Sequence, residues 1–266
     1  MLRAIPRGAI RVVLVVGILA GLTLPALAQT LVERSAEARF QLDLQVPDAA
    51  LMKFLPPGWR LNVSTQGPAK DANLRAIFVD RLTITDPAGE PLGRTGSNRL
   101  VYLAAPVTNP AGENVQLVIG GLTEDPADAP GPLGVYLAAT THEMERSSTV
   151  GAGPVLDSQD WVFEAATGEH LEMHIEYERG VNSRPIPAGP RERKFYSAKD
   201  PSVYQISREE QALDIMRNVT TNPPDRVKSF SFNGGGGSYA ALFDGTERLL
   251  SWDNILWLTR SVLVNL

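Results

Sequence analysis

Three stretches of the chain carry residue types capable of acid–base or metal chemistry. The first is His142-Glu143, followed by Glu145 and Arg146. Histidine is the side chain whose unperturbed pKa lies nearest neutrality, so His142 with Glu143 could serve as a general base in hydrolysis or proton transfer. A solvated strand end would carry the same residues. The second is His170-Leu-Glu172-Met-His174, which sets two imidazoles and a carboxylate at i, i+2, i+4. On a strand these share one face and could hold a divalent metal. Same-face neighbours lie about 7 Å apart, however, so a shared ion needs a bend, and an outward strand face explains the row as well. The third is Arg39, whose guanidinium could grip a carboxylate in a bidentate contact or simply lie at the surface. No other motif offers a cofactor: the glycines at 234–237 lack the Lys-Ser/Thr of a phosphate loop, and there is no Gly-x-Ser-x-Gly elbow.

These residues need elements to position them, and the central one is Trp161 to Arg179. Leu171, Met173, Ile175 and Tyr177 alternate with His170, Glu172, His174 and Glu176, the period of a half-buried strand. The Gly-containing link at 166–169 makes it the second arm of a hairpin. Further strands are expected at 37–46, 73–86, 99–107, 114–122, 134–143, 226–232, 238–243 and 247–252, with an apolar close at 255–266. Two short helices are expected. One follows Pro47-Asp48 and stops at Pro56-Pro57-Gly58; the other, over 208–218, follows the capping-box pattern Ser207-Arg-Glu-Glu210. The Pro- and Arg-rich stretch 180–193 reads as a surface loop. Trp161, Trp252 and Trp257 sit in apolar patterns and read as core. The fold class is mainly β, one antiparallel barrel or sandwich over 29–266 with two short helices.

Residues 1–28 read as a signal peptide. Arg3, Arg7 and Arg11 precede the uncharged apolar run Val12–Leu27, and Ala26-Leu27-Ala28 gives small residues at −3 and −1. Retention as a membrane anchor is the rival reading. Cleavage near Ala28 predicts a periplasmic or secreted protein with no membrane span in the mature chain. Those residues carry three Arg and no acid, so their loss takes the formal charge from −5 to −8. That acidity opposes nucleic acid as a partner. The absence of cysteine removes disulfides, thiolate metal sites and thiol nucleophiles together.

The element order resembles the acetoacetate decarboxylase-like superfamily. The first strand and short helix lead into Phe54-Leu-Pro-Pro-Gly-Trp-Arg-Leu61, similar to the family's helix-ending LPxGL-like turn; Asn73–Ile84, Arg99–Leu122 and Phe243-Asp-Gly245 resemble the strands and turn that follow. The resemblance implies a barrel with a cavity and, in the family's enzymes, a Schiff-base lysine in a Pro-Lys-Lys motif. Here the matching stretch is Gly134–Leu137 and Ala138–Glu143, and no lysine lies between Lys70 and Lys194. Schiff-base chemistry needs an amine of depressed pKa, and the family's own enzyme is the standing example. The expectation is therefore a barrel that binds a small apolar or carboxylate-bearing molecule without decarboxylation, free of cofactor. A lyase-like enzyme that avoids a Schiff base, a hydrolytic or proton-transfer enzyme with a His-based or divalent-metal site, and a non-catalytic envelope protein remain open, as does an oligomer.

Overall fold

The structure is a computed structural model that describes residues 29–179, 190–218 and 226–265. In chain order the elements are β1 (Gln29–Gln45), α1 (Asp48–Leu51, continued by a 3-10 turn Met52–Phe54), β2 (Arg60–Leu61), β3 (Leu74–Thr85), β4 (Asn98–Thr108) and β5 (Asn114–Thr123). Then come β6 (Tyr136–Thr149), β7 (Leu156–Ala165), β8 (His170–Glu178), β9 (Arg191–Ser197), β10 (Tyr204–Asn218), β11 (Val227–Gly235) and β12 (Arg248–Asn265).

Seven of these strands close on themselves in the order β1-β3-β4-β5-β9-β10-β12, with β12 pairing back onto β1. The ring is antiparallel except where β9 joins β5 through three parallel pairs, Gln116–Val118 against Phe195–Ser197. β6 runs parallel to β5 for three residues, then leaves to head a second, antiparallel sheet β6-β7-β8-β11.

The alternation of β1 explains the layers. Phe40, Leu42 and Leu44 face the second sheet, in one core cluster with Trp161, Phe163, Leu171, Met173, Ile175 and Tyr177. Phe40 stacks on Trp252 at 5.1 Å between centroids and tilts against Tyr177 at 6.3 Å. Such aromatic pairs add about 0.5–1.5 kcal/mol beyond their area burial. Glu37, Arg39, Gln41 and Asp43 alternate with them, yet these polar side chains are buried as well, because they point into the ring. The barrel thus carries its apolar core on the outer wall and its charge inside.

Several expected elements differ. The second helix is absent: 208–218 belongs to β10, which pairs with β9 on one side and β12 on the other. The ladder with β12 along this stretch, joined by β9 only at Arg208 and Glu209, outweighs a local helix preference worth only tenths of a kcal/mol per residue. Ser207, the expected N-cap, is instead a buried strand residue opposite Arg193 and Val262. The stretch 238–243 is not a strand: it opens with a 3-10 turn, Gly237–Tyr239, pinned by Glu169, which accepts from the Ser238 N–H and hydroxyl at 3.0 Å each. The expected strand 247–252 and the apolar close 255–266 merge, over Arg248–Asn265, into one long β12 that runs through Asp253-Asn254. The strand expected at 134–143 runs on to Thr149. Of the expected loop 180–193, residues 180–189 lie outside the described residues, and Arg191–Arg193 open β9. Trp161 and Trp252 are core, whereas Trp257 is 38% exposed.

Candidate functional site

The seven ring strands converge on one small internal cavity of about 80 Å³. Arg39 reaches it from β1, Arg75 and Ile77 from β3, Tyr102 from β4, Gln116 from β5, Arg191, Arg193 and Phe195 from β9, Glu209 from β10, and Asp253 and Ile255 from β12. Because every strand of the ring contributes, the cavity is the barrel lumen.

Its charges are mostly assigned to one another. Arg39 donates from Nε to Oε2 of Glu37 at 2.6 Å and from Nη1 to Oε1 of Glu209 at 3.2 Å. Arg75 reaches Oδ1 of Asp43 at 3.2 Å, and Ser251 holds the other oxygen of Asp43 at 2.7 Å. Arg191 stands 3.8 Å from Oε2 of Glu209. Beneath them, Glu37 also meets Arg260 at 2.6 Å and Ser35 at 2.6 Å, while Arg81 and Arg260 both pair with Glu33. Arg193 is the exception. Its backbone lies in the β9–β10 ladder, but among the described residues its guanidinium makes no hydrogen bond and no ion pair.

The electrostatics follow this geometry. Burial by itself would push the Glu37 carboxyl up, but the guanidiniums of Arg260, Arg39 and Arg81 bring it down to about 2. Burial likewise opposes ionisation of Glu209, and Arg39, Arg193 and Arg191 outweigh it, so that carboxyl is lowered. The Arg39 guanidinium is raised, with burial overcome by Glu37. Arg193 goes the other way: burial lowers it, and Glu209 does not offset that together with its neighbours Arg75, Arg191 and Arg39. The Tyr102 hydroxyl is pushed up by burial and stays protonated, a donor. The lumen wall thus carries a half-buried cation with no carboxylate at ion-pair distance among the described residues, Glu209 acting on it only from farther away, beside a cavity able to receive one.

The expected site residues are dispersed. Arg39 lies in the lumen. His142 and Glu143 are exposed on β6, opposite Phe163 and Val162 of β7, on the second sheet. His170, Glu172 and His174 share one half-exposed face of β8, and the straight strand holds the two imidazoles ~14 Å apart along its axis. Both ring nitrogens of His174 are engaged, Nδ1 with Asp160 at 2.6 Å and Nε2 with Ser229 at 3.0 Å. That Asp-His-Ser chain spans three adjacent strands on the open face of the sheet and acts as cross-strand hydrogen bonding. No cluster of three metal-ligating side chains occurs among the described residues. Lys53, Lys70, Lys199 and Lys228 are exposed, and Lys194 is half-buried with its amine on Glu113 at 2.8 Å. None of the five lysines of the chain lines the lumen. The residues that do, Arg75, Tyr102, Arg191, Arg193 and Glu209, had one sequence signal: charged residues at i, i+2 along strands, as in Glu37-x-Arg39-x-Gln41-x-Asp43 and Arg191-x-Arg193-x-Phe195.

No helix among the described residues is long and apolar enough to cross a membrane. No family model and no curated protein matches the sequence. Solved structures do match. Over 90% of its length the chain superposes on 88% of the enduracididine biosynthesis enzyme MppR, solved with the condensation product of pyruvate and imidazole 4-carboxaldehyde, at TM-score 0.50 and 13% identity. It superposes equally, at TM-score 0.50 and 11% identity, on 92% of an acetoacetate decarboxylase-like enzyme from Sphingomonas wittichii RW1, again over 90% of its own length. With a charged lumen inside a seven-stranded ring and a second sheet on its apolar wall, the chain has the acetoacetate decarboxylase-like fold.

Proposed function

We propose that this protein, exported from the cytoplasm, binds a small carboxylate in the barrel lumen and does not form a Schiff base with it. The observation that carries the reading is Arg193, a half-buried guanidinium with no carboxylate at ion-pair distance among the described residues, beside three further arginines. A ligand carboxylate would supply the missing charge and accept the paired N–H donors of the guanidinium. The Tyr102 hydroxyl and the Gln116 amide add neutral donors on the same wall. The cavity of about 80 Å³ limits the ligand to a few heavy atoms, well below the roughly 300–1,000 Å³ of pockets for larger molecules. Pyruvate is a carboxylate of that size, and a pyruvate-derived compound occupies the MppR structure. The lack of a lumen lysine supports binding without imine chemistry. Export is supported by Arg3, Arg7, Arg11, the apolar run and Ala26-Leu-Ala28.

The test is a thermal-shift and calorimetric titration with pyruvate beside its methyl ester. A site that reads the carboxylate binds pyruvate and not the ester. Saturation at about 100 times Kd adds about 2.7 kcal/mol to stability, a rise of about 5–10 °C in Tm. Equal binding of acid and ester overturns the carboxylate reading. Borohydride treatment in the presence of acetoacetate, followed by intact-mass measurement, is expected to leave the chain unmodified; a trapped adduct overturns the claim of no Schiff base. Cell fractionation with N-terminal sequencing checks export, the expected mature terminus being Gln29.

A further inference from the structure

The barrel wall is incomplete between β5 and β9. Their parallel pairing covers only Gln116–Val118 with Phe195–Ser197. Before that point β9 is held on its other flank alone, Arg191–Lys194 pairing with Glu209–Ile206 of β10. Asn114 and Val115 of β5 therefore face Arg193 and Lys194 with no ladder between them among the described residues. Immediately outside lies an open basin of about 500 Å³, lined by Glu113, Asn114, Gln116, Glu192, Arg193 and Lys194 among others. Gln116 and Arg193 line this basin and the lumen cavity alike, so they form the wall between the two. Two interactions cross the slot, both onto Glu113: Lys194 Nζ reaches its Oε1 at 2.8 Å, with both side chains about two-fifths exposed, and the Tyr196 hydroxyl lies at the long distance of 3.5 Å from its Oε2.

We infer that the slot between β5 and β9 is the ligand portal of the lumen, with the Glu113–Lys194 ion pair as its latch and Arg193 as the anion-selecting residue at its neck. The inference deepens the carboxylate-binding reading and rests on it for the anion preference; the route itself does not. Exposed ion pairs are weak, so such a latch opens readily. Its opening leaves the β5–β9 pairs below it intact. A cation at the neck, half-buried between basin and lumen and without an ion pair among the described residues, draws an anion from the basin and passes it into the cavity. Glu192 does not compete for the neck, because Arg208 holds its carboxylate at 2.6–2.8 Å.

The absence of cysteine makes a direct test available. Ile77→Cys places one reporter thiol in the lumen, and Ile255→Cys is a second reporter should the first fail to fold. Alkylation is followed by intact mass with iodoacetate, which carries a carboxylate, and with neutral iodoacetamide, each rate referenced to a free thiol. Glu113→Gln or Lys194→Met is expected to speed labelling by both reagents about two- to fivefold, the kinetic equivalent of a weak exposed pair, and the swapped pair Glu113→Lys/Lys194→Glu to restore the slow rate. Arg193→Met is expected to lower the iodoacetate-to-iodoacetamide ratio while leaving iodoacetamide unaffected or faster. Unchanged labelling in both latch variants overturns the portal, whatever the reagent ratio. Faster labelling by both reagents with a ratio indifferent to Arg193 keeps the portal and overturns carboxylate selection. Failure of the swapped pair to restore slow labelling overturns the latch.

Discussion

Glu37 and Arg39 lie two residues apart on the inward face of β1, with 2.6 Å between Oε2 and Nε and almost no surface exposed on either. A strand brings i and i+2 to the same face, so this pair is local. What makes it consequential is the ring that excludes water from it. Arg260 arrives from β12, Arg81 from β3 and Glu209 from β10, and each charge in the group depends on the others for its solvation.

Removing one member should therefore cost far more than an exposed pair would. Glu37→Gln leaves Arg39, Arg81 and Arg260 short of a counter-charge in a buried site. The expected loss is about 3–5 kcal/mol, read as a lower midpoint in urea with unchanged slope. A loss below 1 kcal/mol would show that water reaches the cluster.

The same carboxylate predicts the acid limb of the stability profile. Its pKa in the folded chain is about 2, below the ordinary 4.5. A group depressed on folding contributes stability above its unfolded pKa and loses it as pH falls toward the folded value. Stability should thus decline between about pH 5 and pH 2, by on the order of 3 kcal/mol from Glu37. Glu37→Gln should flatten that limb in a series of melts. A limb of unchanged steepness in the variant assigns it to other carboxylates.

Arg193→Met should abolish pyruvate binding and leave the fold intact. The guanidinium has no ion pair to lose among the described residues and is already penalised by burial. Unfolding free energy should change by no more than about 1 kcal/mol, while calorimetry detects no heat of binding. Retained binding would move the anion site to Arg75 or Arg191.

Gly120-Gly121 on β5 is the point where the ring hands over to the second sheet, since Gly121 pairs with Tyr136 of β6. A Cβ at 121 would lie 2.6 Å from the carbonyl oxygen of Val101 and 2.8 Å from the Tyr136 ring; one at 120 would meet the Tyr239 hydroxyl at 2.5 Å. Backbone on the neighbouring strand cannot move aside without opening the ladder. Gly121→Ala should destabilise by about 1–3 kcal/mol, measured by chemical denaturation. A neutral result would mean that β4 and β5 can separate locally.

His142→Ala should be silent. The side chain is exposed on β6, away from the lumen. Melting temperature and pyruvate affinity are both expected to match the parent chain within error, and a loss of affinity would place His142 in the ligand's path.

Much of the strand order was legible in the sequence because half-buried strands write their period into local residue types. The hairpin at 161–179 and the pair 99–122 were readable for that reason, as were the missing cysteines and the missing lysine between 70 and 194. The strand at 204–218 was not, because its helix-like local pattern is overruled by partners lying about forty residues further along and just before it. The alternation of β1 showed two faces, but a period of two does not state which face closes on itself. That depends on β12 returning to β1 from the far end of the chain, and closure decided that Arg39 is buried while His142 is not. Local chemistry determined the strands and the reagents the chain lacks; tertiary pairing alone decided which charges lost their water, and with them the place of the site.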